Sequence, residues 1–374
     1  MDFEFSADQE MLRESVRGFL STRAPITFVR EMYDDPRGTT DTVWAGLAEV
    51  GATGLLVPEA YGGAGAGMVD MAVVLEELGR AVHPGPFTSS AVGAVGLVLA
   101  VGSTDDHATL LPGLASGESI ATVALLEPDR RVEWRAPTTR AVADGGGWRL
   151  DGEKAHVPDA ASADTIFVSA TTEDGTFAVF RVARDAAGLA VTSTPTVDGS
   201  RKEATVTLAS APAARVGAGD ATDAIAETVD RLHTAAVVDG VGAAARVLEI
   251  AVDYAKARQQ FGVPIGSFQA VQHLCADMLR AVELARAAAY YACWAFDDAN
   301  ASERHRATTM ALAFAADELY SVGASAIQVH AGIGFTWEHD AHLFYKRLLT
   351  LQHTGGGAID QLEELASIAL GEVR

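Results

Sequence analysis

Hydrophobic positions recur along this chain with two different periods, and the changes between them divide it. From Ser6 to about Gly117 the spacing is helical. Leu12, Val16, Phe19 and Leu20 fall on one face of a helix, which a capping box between Ser6 and Gln9 opens. The glycine-rich stretch "VPEAYGGAGAG" (Val57 to Gly67) interrupts this pattern, and "MVDMAVVLEELGRA" resumes it. "AVGAVGLVLAVG" (Ala91 to Gly102) is apolar but too short to span a bilayer, so it predicts a buried helix. From Ser119 to about Val216 the period becomes two. "ATVALLEP", "WRLDGEKAHV", "TIFVSA", "TFAVFRV", "LAVTST" and "EATVTL" predict short strands between turn clusters such as "DGGG" and "EDG". Strands at this spacing predict a small antiparallel sandwich or barrel. Beyond Val216 the helical period returns over Ala224 to Arg258, Gln269 to Asp298, Arg304 to His330 and Ala341 to Leu351. Four such segments predict a bundle.

The expected fold class is therefore α+β. It comprises an N-terminal helical domain (1–118), a central antiparallel β domain (119–216) and a C-terminal four-helix bundle (217–374). A length of 374 residues agrees with more than one core. Hydrophobic residues make up 49% and charged residues 21%, as in an ordinary globular chain.

Charge narrows the partners. Lys and Arg total 28 against 50 Asp and Glu, a formal net charge of −22. Such a body repels nucleic acid and anionic membranes, so neither is an expected partner. An anionic ligand needs a local pocket of Arg, backbone N–H groups or helix N-termini. The opening "MDFEFSADQE" has neither a basic nor an apolar leader segment, and the expected location is cytoplasmic. Cys275 and Cys293 both fall in helical patterns and are expected to be reduced, buried thiols rather than a disulfide or zinc site.

Two stretches invite a functional reading. "ARQQFGVPIGSFQAVQ" (Ala257 to Gln272) joins the end of a long helix to the start of another through a polar, proline-bearing corner. Read as a plain helix connection, it would bury Phe261 and Phe268. In "QVHAGIGFTWEHD" (Gln328 to Asp340), Gly332 and Gly334 free backbone N–H groups at a helix junction, which suits a phosphate or a simple C-cap equally.

Together with "GLLVPEAYGG", "LEELGRA" and "DGEKAHV", these stretches resemble the acyl-CoA dehydrogenase family along nearly the whole chain. The resemblance implies an FAD-dependent α,β-dehydrogenation of an acyl-CoA thioester, in which a carboxylate takes the α-proton and the flavin takes hydride. It also implies a tetramer in which each flavin sits between the β domain and the bundle and reaches into a neighbouring subunit.

The catalytic residue is unknown. The base position near the C-terminus of the family falls on Thr354, in "HTGGGAID", and the alternative position in the first bundle helix falls on Leu232. Asp230 lies two residues from the second position, about 200° round the helix, and reads as a solvated acid. By the resemblance, the positions that hold a subunit's own flavin are eroded: Leu126, His156, Pro158, Thr354 and Gly356. Those that reach a neighbour's FAD are kept: Arg258, Phe261, Gln269, Gln328, Val329, His330 and Gly332, with Ala331 replacing a glycine. The pattern resembles the base-less chain of heteromeric α2β2 acyl-CoA dehydrogenases of bacterial steroid side-chain degradation, whose partner carries the Glu. Two alternatives stand beside it: a self-sufficient homotetramer with its base at Asp230, Asp239 or His353, and a non-catalytic acyl-CoA-binding or scaffold protein.

Overall fold

A computed structural model describes residues 5–371; residues 1–4, part of the stretch read for a leader, and 372–374 lie outside them. The first region is helical: α1 (Ala7–Arg23), α2 (Ile26–Met32), α3 (Asp41–Glu49), α4 (Met68–Arg80), α5 (Val95–Val101) and α6 (Thr104–Ala115). Helix α1 opens on the expected reciprocal cap, in which the Ser6 hydroxyl accepts from Gln9 N and the Gln9 side chain accepts from Ser6 N. The apolar Ala91–Gly102 stretch is buried helix, although its first part belongs to a π-helical turn (Thr88–Ala94) that runs into α5.

Seven strands follow: β1 (Ala121–Ala124), β2 (Arg140–Asp144), β3 (Gly147–Pro158), β4 (Thr165–Thr172), β5 (Phe177–Ala183), β6 (Leu189–Thr194) and β7 (Glu203–Val216). Pairing runs β4–β2–β3–β7–β5 and returns to β4, so five strands close a small barrel, with β1 and β6 on its flanks. Most pairs are antiparallel, as the alternation implied, but β1 and β2 each run parallel to β4. Strand β2 was not foreseen, because only Ala141 of its five residues is buried and it carries no alternating apolar signal. Register shifts in β3 after Leu150 and after Lys154 bend it around the barrel.

The last region contains α7 (Thr222–Ala257), α8 (Gln269–Asp298), α9 (Ala301–His330), α10 (Ala341–His353) and α11 (Gly357–Leu370). The four expected helices are present. Helix α11 is additional, and "HTGGGAID" is the tight link into it rather than an open loop. Cys293 is buried, whereas Cys275 is only partly so, correcting the expectation for that thiol.

Contacts group the chain into two compact units. One holds the residues up to Val29, Ala72–His83 and His233 onward; the other holds Arg30–Met71 and Pro84–Leu232. In the first unit the "LEELGRA" segment acquires a physical reason. A Cβ on Gly79 would stand 1.9 Å from the Asp239 carbonyl oxygen, so only glycine lets α4 pack this closely on α7. The adjacent acids are buried and paired: Glu76 with Arg286 (3.1 Å) and Glu77 with Arg17 (2.6 Å). The second unit holds the barrel, whose β1 packs against the π-helical turn.

Candidate functional site

Among the described residues the barrel interior holds one cation. Alternation points Lys154 inward on β3, where it is fully buried, and its ammonium donates to Glu127 Oε1 (3.1 Å), Ser169 Oγ (3.1 Å) and the Leu125 carbonyl (3.3 Å). Glu127, itself buried, also accepts from the backbone N–H and hydroxyl of both Thr138 and Thr139, at 2.6–2.9 Å. Burial pushes its carboxyl up, but the Thr139 hydroxyl, Lys154 and Thr138 outweigh this and hold it at about 2. Burial takes Lys154 down to about 8 against the pull of Glu127. The pair ties β1, β3, β4 and the start of β2 together. The sequence signal for it was a lysine at an inward strand position opposite a Glu-Pro.

Around this hub stand the positions assigned to a subunit's own flavin. The Leu126 side chain offers only hydrocarbon, and its carbonyl accepts from Ala155 N (3.0 Å). His156 sits in the second β3 irregularity with a left-handed φ of 51°, and its Nδ1 contacts Glu203 Oε2 at 2.7 Å. Pro158 has no N–H, and its carbonyl accepts from Thr122 Oγ1 (2.5 Å). By the resemblance a flavin ring takes hydroxyl and N–H donors at these places, where the Leu126 side chain and Pro158 offer none and Glu203 engages the His156 Nδ1. These residues do not fit an isoalloxazine.

The two positions that the resemblance gives to a base, 354 and 232, hold no carboxylate. Thr354 Oγ1 donates to the Thr350 carbonyl (3.2 Å), ending α10. Gly355, Gly356 and Gly357 then take left-handed φ of 60°, 87° and 83° in succession. A side chain at 356 would begin 2.0 Å from Asp360 Oδ2, so Asp360 fills that space. Leu232 is half-buried on α7, with its Cδ2 3.0 Å from where a Gly93 Cβ would stand. Asp230 is buried, at 7% exposure, which corrects its reading as a solvated acid: α7 turns it inward. Asp239 is a structural partner, bound to Arg347 at 2.8 and 3.0 Å, and Arg347 also donates to the His83 carbonyl (3.2 Å). His353 is exposed at the end of α10.

A different surface lies where α7 ends. Arg258 leads into a two-residue hairpin, Gln259–Gln260 against Val263–Pro264, whose tip Phe261 is left-handed (φ 53°). Phe261 is 93% exposed and Phe268 39%, with ring centroids 6.2 Å apart, so neither serves as core for this chain. Arg258, Gln269 and Gln328 are exposed, and among the described residues none makes a side-chain hydrogen bond. Val329 and His330 are buried and anchor the neighbouring loop. The His330 ring lies 4.6 Å from Tyr254 on α7 and 4.3 Å from His339, and this packing joins the two stretches. Its Nδ1 contact with the Ala326 carbonyl (2.7 Å) fixes the proton there, leaving Nε2 buried without a partner among the described residues. Gly332 faces open space, and Ile333, Phe335 and Trp337 beyond it are exposed. This surface therefore brings together uncommitted polar groups, open backbone and exposed rings.

Ala331 stands at φ 55°, ψ −140°, a conformation suited to glycine. Ala331→Gly is expected to raise stability by about 0.5–1 kcal/mol, the strain relieved less the added entropy of the unfolded chain. A denaturant midpoint that stays put or falls would show the backbone to be unstrained.

Three family models match in chain order: the acyl-CoA dehydrogenase N-terminal domain over residues 6–118, its middle domain over 122–210 and its C-terminal domain over 222–367. Acyl-CoA dehydrogenase IpdE2 of Mycolicibacterium smegmatis is 33% identical over 361 residues, covering 96% of this chain and 98% of that protein. Among solved structures, a Tcur3481-Tcur3483 steroid ACAD variant superposes with a TM-score of 0.87 at 33% identity, over 97% of this chain and 98% of that one. A chain of the ChsE4-ChsE5 complex from Mycobacterium tuberculosis does so at 0.89 and 28% identity, over 100% of both.

Proposed function

Because this chain belongs to the acyl-CoA dehydrogenase family, whose members are oxidoreductases acting on the CH–CH bond of an acyl-CoA, we propose that it is the base-less subunit of a heteromeric member. It completes the FAD site of a Glu-bearing partner in a cytoplasmic α2β2 assembly. Arg258, Phe261, Gln269, Gln328 and the segment from Val329 to Gly332 form the lent edge. FAD, when bound, supplies the hydride acceptor; the residues of this chain bind and orient it. The names of the steroid variant and of the two-component ChsE4-ChsE5 complex support both the heteromeric reading and a steroid-derived acyl group.

One observation carries the reading. The chain closes its own flavin and base positions from within, through Leu126, the His156–Glu203 contact, Pro158 and the Asp360-filled glycine link. Yet it leaves a polar, aromatic arm exposed, with Phe261 at its tip. An exposed aromatic on a strained turn has no role inside this subunit.

Purified alone, the chain is expected to carry little flavin and to dehydrogenate no acyl-CoA. Co-expressed with a Glu-bearing homologue, it should yield a yellow, active complex containing both chains. Near-full flavin occupancy and turnover in the single chain would sink the proposal and favour a self-sufficient enzyme.

A further inference from the structure

Two imidazoles bracket the turn between α9 and α10. His330 closes α9, and its Nδ1–H donates to the Ala326 carbonyl one turn back (2.7 Å). His339 stands two residues before α10, and its Nδ1 accepts from the backbone N–H of Ala341 (3.1 Å), the first residue of that helix. The two ring centroids lie 4.3 Å apart, and Tyr254 of α7 completes the cluster at 4.6 Å from His330 and 6.3 Å from His339. The Tyr254 carbonyl in turn accepts from Arg258 N (2.8 Å), at the root of the exposed hairpin. We infer that His330 is a positioning residue, the centre of an acid-sensitive clasp that holds the edge from Gln328 to Gly332 beside the arm from Arg258 to Phe261. This role rests on the proposed lending of that edge and adds the means by which its shape is kept and released.

The clasp needs both rings neutral. A carbonyl oxygen only accepts, so the His330 Nδ1 carries a proton; a backbone N–H only donates, so the His339 Nδ1 carries a lone pair. His330 is 1% exposed, and its Nε2 is buried without a hydrogen-bond partner among the described residues. A proton added there would be a buried donor with nothing to receive it. The titratable groups facing the ring are Tyr254 from α7 and His339 from the turn, a phenol and a second imidazole, and among the described residues no carboxylate acts on it. Burial lowers the His330 pKa from its ordinary 6.5 by more than the Ala326 bond restores, and His339 adds to the lowering. Opening the turn wets the ring, which then takes a proton at its ordinary value. The closed form is therefore favoured above pH 6.5 and loses ground as pH falls below it. Between the two rings Gly332 faces open space, and Ile333, Phe335 and Trp337 are exposed, so little apolar burial opposes opening.

Amide hydrogen exchange of the purified full-length chain tests the clasp without partner or flavin. Protection factors of the peptides between His330 and Ala341 are compared one pH unit above and one below the ordinary histidine value of 6.5. Wild-type protection should fall at least about tenfold from the higher pH to the lower, the factor for one histidine that takes its proton only on opening. His330→Phe keeps a ring in the cluster but takes no proton, so its protection should change less than about threefold; His330→Met serves the same purpose if the phenylalanine variant fails to fold. His339→Asn keeps an acceptor for the Ala341 N–H and leaves His330 to titrate, so most of the fall should persist. Equal falls in the wild type and the His330 variants, as for a residue that only packs, overturn the clasp, and so does pH-independent protection in the wild type. A flat His339→Asn moves the switch to His339 and overturns the role given to His330. In the co-expressed complex, the fraction of flavin kept on going from the higher pH to the lower should be smaller for the wild type than for His330→Phe. Equal fractions overturn the positioning role. If no flavin-bearing complex forms, the lending proposal falls, whereas the exchange result still decides the clasp.

Discussion

Lys154→Met should destabilise the chain by about 3–5 kcal/mol, enough to abolish soluble expression or to lower the melting temperature sharply. The reason is what the substitution leaves behind. Glu127 keeps its four hydrogen bonds from Thr138 and Thr139 but loses the only buried cation beside it among the described residues, so a carboxylate stays in the barrel with its charge unbalanced. Glu127→Gln with Lys154→Met removes both charges and should recover part of the loss, which a simple packing defect at 154 would not do. The same pair gives a pH signature. The folded pKa of Glu127, about 2, lies below its ordinary 4.5, so its contribution is present above pH 4.5 and fades as pH falls towards 2. Urea midpoints of the wild type should therefore drop across that window more than those of Glu127→Gln. Equal slopes for the two proteins would mean that the ion pair does not govern the barrel.

The second large effect concerns the arm. Arg258→Gln with Phe261→Ser, introduced into this chain and co-expressed with a Glu-bearing partner, is expected to reduce retained flavin at least about tenfold, the equivalent of one lost charge-assisted contact. The isolated variant chain should unfold within about 0.5 kcal/mol of the wild type, because both side chains are exposed and Arg258 makes no side-chain hydrogen bond. The readouts are flavin absorbance per complex and the stoichiometry of the two chains. Undiminished flavin in an intact complex would refute a lending role for the arm. Loss of the complex itself would assign Phe261 to assembly rather than to the cofactor.

Much of the architecture was legible from periodicity, because burial on one face imposes a repeat of 3.6 on helices and of 2 on strands. The capping box at Ser6, the helical segments of the last region and six of the seven strands follow from it. Strand β2 escaped because a nearly exposed strand has no buried face to mark it. The parallel pairings to β4 also escaped, since alternation within a strand carries no information about the direction of its neighbour. Helix α11 was hidden by the three glycines ahead of it, which read as an end although left-handed residues also join one helix to the next.

For the candidate site, residue types alone determined two things: no carboxylate occupies 354 or 232, and Pro158 offers no N–H. Such facts need no coordinates, because missing chemistry is missing in any fold. The tertiary structure decided exposure and commitment. It placed Phe261 in solvent, turned Asp230 inward, gave Asp239 to Arg347, set Asp360 against Gly356 and packed His330 against Tyr254 and His339. These depend on which distant segments meet, and a local pattern cannot encode that, since the same residue is core, ion-pair partner or ligand contact according to what packs on it.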